Sequence, residues 1–318
     1  MATTQALARW LQVLPRQQAA THTGLPAIVR ESTLRPNPTT RLALQMAVAI
    51  AAAFAVGFLV FPQRWAWIVL TAFIVSSGNR GRLDVAYKSV LRVLGAGAGT
   101  LAALVFSLQF GSHVELTVAL ILAAVFLGIW LRPLNYAWWA LFVTLALALL
   151  QGFEGVSAQA MLLRLEEIAI GALIAVASAW CVYPVRSTDV LRRRIADVLA
   201  QLSDAFDPDT PAQPPDTLDA AFTGLDEVAP SFRALRWATS RFKPAQPADW
   251  IDTTLACREP AYALIAQQQA PVEIRKIIGS ARRALRAPEA FPGALQALLG
   301  TLQAAWPTIE DPEHEQAG

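Results

Sequence analysis

The sequence predicts an all-α, polytopic membrane protein: six transmembrane helices arranged as a 3+3 inverted repeat, followed by an all-α cytosolic domain. Three observations predict it. Of the 318 residues, 55% are hydrophobic and 16% charged, with a mean hydropathy of +0.40. Soluble domains average about 45–50% apolar and about 25% charged residues. Six apolar runs lie between Leu42 and Tyr183, separated by short polar connections. The first three runs are echoed by the last three.

In chain order, residues 1–40 form a cytoplasmic segment. Its apolar stretch from Ala6 to Leu14 is broken by Arg9 and Gln12 and lacks the cleavage site of a signal peptide. It reads as a short interfacial helix. The transmembrane domain occupies 41–184. Its runs are Leu42 to Phe61, Trp65 to Val75, Val90 to Phe110, Leu116 to Leu131, Tyr136 to Leu150 and Ile168 to Tyr183. A perpendicular crossing takes about 20 residues, with about 17 as the lower end. Flanking Trp, Ser and Thr complete the shorter runs at the interface. The cytosolic domain occupies 185–318. There Leu191, Ile195, Val198, Leu202 and Phe206 recur at helical spacing, which extends the sixth span into an amphipathic helix. The stretch DPDTPAQPPD breaks it. Further helices centre on Phe222, Phe232, Leu264, Ile278 and Leu298, and EDPEHEQAG reads as a disordered end.

Charge sets the orientation. Up to Pro184 there are 12 Lys and Arg against 6 Asp and Glu; from Val185 there are 14 against 18. Arg9, Arg16, Arg30, Arg35 and Arg41 precede the first span, Arg80, Arg82 and Lys88 follow the second, and Arg132 follows the fourth. Arg186 and Arg192 to Arg194 follow the sixth, whereas the alternate connections hold only Arg64 and Arg164. The positive-inside rule places both termini in the cytoplasm. A basic stripe of the nucleic-acid-binding kind is missing.

A shift of 71 residues aligns Gly57 with Gly128, Pro62 with Pro133 and Trp67 with Trp138. A shift of 72 aligns Arg92 with Arg164 and Gly99 with Gly171. Three spans per unit force the second unit to enter from the opposite side, the inverted plan of many secondary transporters. Arg92 and Arg164 then open the third helix of each unit. One reading makes them snorkelling flanks; the other makes them a symmetric pair that attracts an anion from either side. Glu166 and Glu167 suit a helix N-terminus, or else supply a counter-charge to Arg164 or a protonatable coupling group. Gly95 and Gly99 form a face for close helix approach, with backbone contact to substrate as the alternative. Trp65, Trp67, Trp138 and Trp139 serve as interfacial anchors or meet an aromatic substrate, with Trp67 and Trp138 as the pair given by the 71-residue shift.

No phosphate loop is present, His22, His113 and His314 lie outside the spans, and Cys181 and Cys257 are isolated. Neither an enzyme, a metal site nor a cofactor is expected.

The span WIVLTAFIV, a cationic loop and then RVLGAGAGTLAA resemble the fusaric acid resistance family, which includes the aromatic acid exporters, over Leu42 to Pro184. Arg92, Gly95, Gly99 and Thr100 occupy the family's third-helix pattern, and Arg164 and Gly171 its sixth. The resemblance implies efflux of hydrophobic or aromatic carboxylates across the bacterial inner membrane. Plant aluminium-activated malate transporters are similar in plan. One six-helix block per chain implies a homodimer. The expected partners are therefore the lipid bilayer, an organic anion, a second copy and, for efflux, a periplasmic adaptor. The rival function is a non-transporting anchor that presents the helical domain to a partner.

Overall fold

The computed structural model describes residues 38–110, 113–153, 158–207, 215–240, 246–267, 272–287 and 289–306. Most of the expected N-terminal segment, most of the DPDTPAQPPD break and the C-terminal EDPEHEQAG lie outside them. The described residues form thirteen α-helices and no strand. Six apolar helices come first: α1 (Pro38–Val60), α2 (Trp65–Ser76), α3 (Arg82–Phe110), α4 (Val114–Trp130), α5 (Tyr136–Phe153) and α6 (Ala158–Cys181). Seven amphipathic ones follow: α7 (Ser187–Ala205), α8 (Pro215–Asp226), α9 (Ala229–Thr239), α10 (Pro247–Ala256), α11 (Arg258–Ala266), α12 (Val272–Ala284) and α13 (Phe291–Ala305).

The first six helices are inside-out by the standards of a soluble protein. Phe58, Leu59, Leu108, Leu122, Phe126, Ile129 and Leu173 are exposed. The interior is made instead of Ala53, Ala72, Ala96, Ala103, Ala140, Ala148 and Ala175, together with buried Thr71, Thr100 and Thr144. Water would not leave so much apolar surface uncovered, and small residues are how helices pack when lipid covers the outside. Only α1 and α3 combine the length and apolar composition to cross a bilayer unaided, over Thr40–Val60 and Arg82–Gln109. With 12 residues, α2 rises only about 18 Å at 1.5 Å per residue, against a hydrocarbon core of about 30 Å. Of the small residues Ser76, Ser77 and Gly78 expected to complete this run, only Ser76 joins the helix: Ser77 turns to extended backbone and Gly78 takes φ +58°.

Two helices start two turns or more before their apolar runs. α3 begins at Arg82, where Asp84 pairs with Lys88 at 2.9 Å one turn on. α6 begins at Ala158. Arg92 and Arg164 consequently lie inside helices and do not open them, and Glu167 sits near the middle of α6.

The α6 helix does not run on into α7. Tyr183 adopts φ 43° and Pro184 follows, a turn that Gln45 ties down by donating to the Val182 and Tyr183 carbonyls at 2.9 and 3.0 Å. Beyond it, α7 to α13 enclose one apolar core that includes Leu191, Ile195, Leu202, Phe222, Ile278 and Leu298. The helical spacing read from the sequence holds there. The basic residues Arg275, Lys276, Arg282, Arg283 and Arg286 stay on the exposed side of α12 and its end.

This core is fastened to the membrane block at one end. Leu83 packs against it and its N–H donates to Ser187 Oγ at 3.0 Å. Gly81 permits the approach: its φ is +147°, and a Cβ there would meet Ser187 Oγ at 3.1 Å. Arg80 pairs with Glu227 at 2.9 Å.

Candidate functional site

Four helices, α2, α3, α5 and α6, meet along a polar seam, and glycines bring them close enough. A Cβ on Gly99 of α3 would stand 2.4 Å from the Leu141 carbonyl and 3.1 Å from Thr144 Cβ on α5. A Cβ on Gly171 of α6 would stand 2.5 Å from the Ile68 carbonyl and 3.0 Å from Thr71 Cβ on α2. Gly95 likewise abuts Ala140 and the Ala137 carbonyl, whereas Gly97 meets nothing. Gly95 and Gly99 therefore act as packing residues.

Buried in the seam are both arginines. Arg92 is 2% exposed and Arg164 3%. Arg164 lies over the Trp67 ring at 4.9 Å, donates from Nη1 to Gln151 Oε1 at 2.7 Å and from Nη2 to the Thr144 carbonyl at 3.3 Å. Arg92 lies over the Trp139 ring at 5.8 Å. These are one contact made twice with the halves of the block exchanged. Trp67 and Trp139 are 72 residues apart, as are Arg92 and Arg164. Trp138, the aromatic paired with Trp67 by the 71-residue shift, faces outward and stacks on Phe142. One residue along a helix turns a side chain by about 100°, which accounts for the exchange of roles.

Several polar atoms in the seam have no hydrogen-bond partner. They are Nε and Nη1 of Arg92, Nε of Arg164, the hydroxyls of Thr71, Thr100, Thr144 and Tyr136, and both carboxylate oxygens of Glu167. Buried polar groups are normally paired, and each orphan costs on the order of 1–3 kcal/mol or more. Glu167, 1% exposed, has one cation within ion-pair range, Arg64 at 3.4 Å, whose own side chain is 39% exposed. Glu166 is exposed and turned away from the seam.

Of the residues singled out in the sequence, the structure brings together Arg92, Arg164, Glu167, Gly95, Gly99 and Trp67. It sets apart Trp138 and Glu166. Arg64, Tyr136, Gln151, Thr71 and Thr144 were not singled out as part of the site, and Trp139 and Thr100 were noted without being paired with an arginine. Trp139 was within reach, because the 72-residue shift that pairs the arginines also pairs it with Trp67.

Residues 42–178 match the family model described as fusaric acid resistance protein-like. The match covers the six apolar helices and stops before the seven that follow. The match spans both arginines, both inward tryptophans and the glycine contacts. Together with the apolar outer surface it marks a membrane protein of a transporter family. A comparison with curated proteins gives no match. Chemically, the seam offers guanidinium donors backed by indole faces in a water-poor interior. It carries more positive than negative formal charge, and that combination holds anions. Among the described residues no cluster of His, Cys, Asp and Glu is placed to hold a metal.

Proposed function

We propose that this protein, whose apolar block resembles the fusaric acid resistance family, moves organic anions, aromatic or amphipathic carboxylates, outward across the bacterial inner membrane. One observation carries the reading: two buried guanidiniums on indole rings, with N–H groups left unpartnered. Unpaired buried charge is costly and in a membrane marks a pathway or a binding site. A carboxylate accepts from the unpartnered guanidinium nitrogens, and an attached aromatic ring stacks on the same indoles. The block is a 3+3 inverted repeat of six crossings with both termini cytoplasmic. The exchange of arginine and tryptophan between its halves supports that plan. So do the matched approaches of Gly99 to α5 and Gly171 to α2. Helices as short as α2 reach the interface with help from their connections, tilted neighbours and a second copy of the chain. The working unit is a homodimer, and a periplasmic adaptor extends the route where efflux crosses the outer envelope.

The test is flux in proteoliposomes with a panel of aromatic acids. Arg92→Gln or Arg164→Gln lowers anion flux at least tenfold with insertion intact, and lysine restores it only partly, because a point charge lacks the fork. A double Gln variant that inserts normally and transports at the parental rate removes the proposal and leaves the anchor reading, in which the block only presents the α7 to α13 domain.

A further inference from the structure

The two halves of the seam share the arginine-on-indole contact and differ in charge at one pair of positions. Seventy-two residues before Glu167 stands Gly95, and seventy-two residues after Arg64 stands Tyr136. The Arg164 half thus holds an ion pair, Arg64 with Glu167, where the Arg92 half holds two neutral residues. That ion pair is poorly made. Arg64 Nε approaches one oxygen at 3.4 Å without hydrogen-bond geometry, and neither Glu167 oxygen receives a donor although the side chain is sealed from solvent. Arg164, one turn away on the same helix, gives its terminal nitrogens to Gln151 and Thr144 and not to Glu167. The charges that act on Glu167 are those of Arg64, Arg164 and the exposed Glu166. From α3, Arg92 acts on Arg164. Among the other neighbours of α6, α2 carries no charged residue and α1 only Arg41, at its opposite end from Arg64.

A carboxylate in this setting opposes any anion that approaches Arg164, because it already neutralises part of the local field. A proton removes that opposition and at the same time removes the cost of holding an unpartnered charge in a buried place. We propose that Glu167 is a proton-binding site linked to anion binding: the anion occupies the Arg164 half as Glu167 takes one proton from solvent and becomes a neutral carboxylic acid. The Arg92 half, with Gly95 and Tyr136 in the corresponding places, binds its anion without a proton. The inference rests on the anion reading above. Linkage is reciprocal, so the anion raises the proton occupancy of Glu167 by the same factor by which the proton raises anion affinity.

The probe is benzenesulfonate, which stays ionised throughout and so cannot itself carry the proton. Its affinity for the full-length protein in nanodiscs is measured from about pH 8 to about pH 4.5, with proton uptake read in weak buffer. In the parent, affinity rises up to tenfold per pH unit as pH falls, and binding takes up protons. Glu167→Gln binds with the parent's low-pH affinity at every pH and takes up none, while Glu166→Gln keeps the pH slope and the proton uptake, displaced to lower pH because a neighbouring negative charge is lost. A pH slope in Glu167→Gln equal to the parent's overturns the proposal. Should that variant fail to fold, binding by the parent without proton uptake overturns it equally. Absence of sulfonate binding at any pH removes the anion site itself and this proposal with it, whereas binding without linkage removes the proton site alone.

Discussion

The six apolar helices and the seven that follow are built from the same backbone but from opposite cores. In α7 to α13 the buried side chains are large, with Leu191, Ile195, Phe206, Phe222 and Phe291 all less than 2% exposed, and the charges are outside. In α1 to α6 the buried side chains are mostly Ala, Gly and Thr, and the largest fully buried one is Arg92. Burial of apolar area drives the first arrangement, at roughly 25 cal/mol per Å². Lipid supplies no such drive between helices, so close backbone approach and polar contacts hold the second. The same substitution should therefore have opposite consequences in the two regions.

Gly99→Leu is the largest expected effect. Even a Cβ collides with the Leu141 carbonyl, which belongs to helix backbone and cannot move aside. Loss of the α3–α5 contact, seen as failure to recover monodisperse protein from detergent, is the expected outcome. Gly97→Leu, which meets open space, should be recovered like the parent and costs only the change of a lipid-facing residue. Equal recovery of the two variants would break the comparison.

Leu202→Ala tests the other core. Truncating a fully buried leucine costs about 2–5 kcal/mol, enough to open α7 to α13 while the membrane block stays folded. Cys257 reports this. It is buried, its Sγ donates to the Thr253 carbonyl at 3.4 Å, and burial pushes the thiol up to about 12. In the parent, maleimide should label exposed Cys181 and spare Cys257; in Leu202→Ala, Cys257 should label as well. An unlabelled Cys257 in that variant would mean that the tail core does not depend on Leu202.

The same contrast explains what could be read in the sequence. The α7 to α13 core was legible because apolar spacing and burial coincide there. Hydropathy located all six apolar helices but misplaced the starts of α3 and α6. It registers Arg82, Asp84 and Lys88, or Arg164, Glu166 and Glu167, as non-membrane text, whereas helical backbone continues through charges that are paired or turned into a packed seam. The break at Tyr183 was invisible, since a single left-handed residue leaves no periodic trace. Thr71 and Thr144 passed unnoticed because lone hydroxyls in apolar runs gain meaning only when separate helices bring them together.

A smaller effect sharpens the account of the tryptophans. Trp67→Phe and Trp139→Phe each weaken the indole support beneath a buried guanidinium, worth on the order of 0.5–2 kcal/mol. Benzenesulfonate affinity should fall severalfold in both. Trp138→Phe, on the outward face, should leave affinity unchanged. A loss confined to Trp138→Phe would return the site to the pairing given by the 71-residue shift.

The smallest effect belongs to the charged surface of the tail, where Arg236 pairs with Asp249 at 2.8 Å and Asp252 at 2.7 Å, and Arg233 with Asp252 at 2.8 Å. Burial pushes the Asp252 carboxyl up, but the hydrogen bonds from Arg233 and Arg236 outweigh it and hold the group below its usual value. A carboxyl depressed in the folded state contributes stability above its unfolded value, about 3.9, and loses that contribution as pH falls through the folded one. Exposure and salt screen these pairs, so the contribution stays below about 1 kcal/mol. In the full-length protein, the urea midpoint of the α7 to α13 transition should be slightly lower for Asp252→Asn than for the parent at neutral pH. The difference should shrink at about pH 3, because the parent loses its carboxylate there while the amide has none to lose. A gap that widened on acidification would show that Asp252 opposes folding, and the tail would then owe its stability to its apolar core alone. That result would draw the contrast with the membrane block, where charge lies inside, still more sharply.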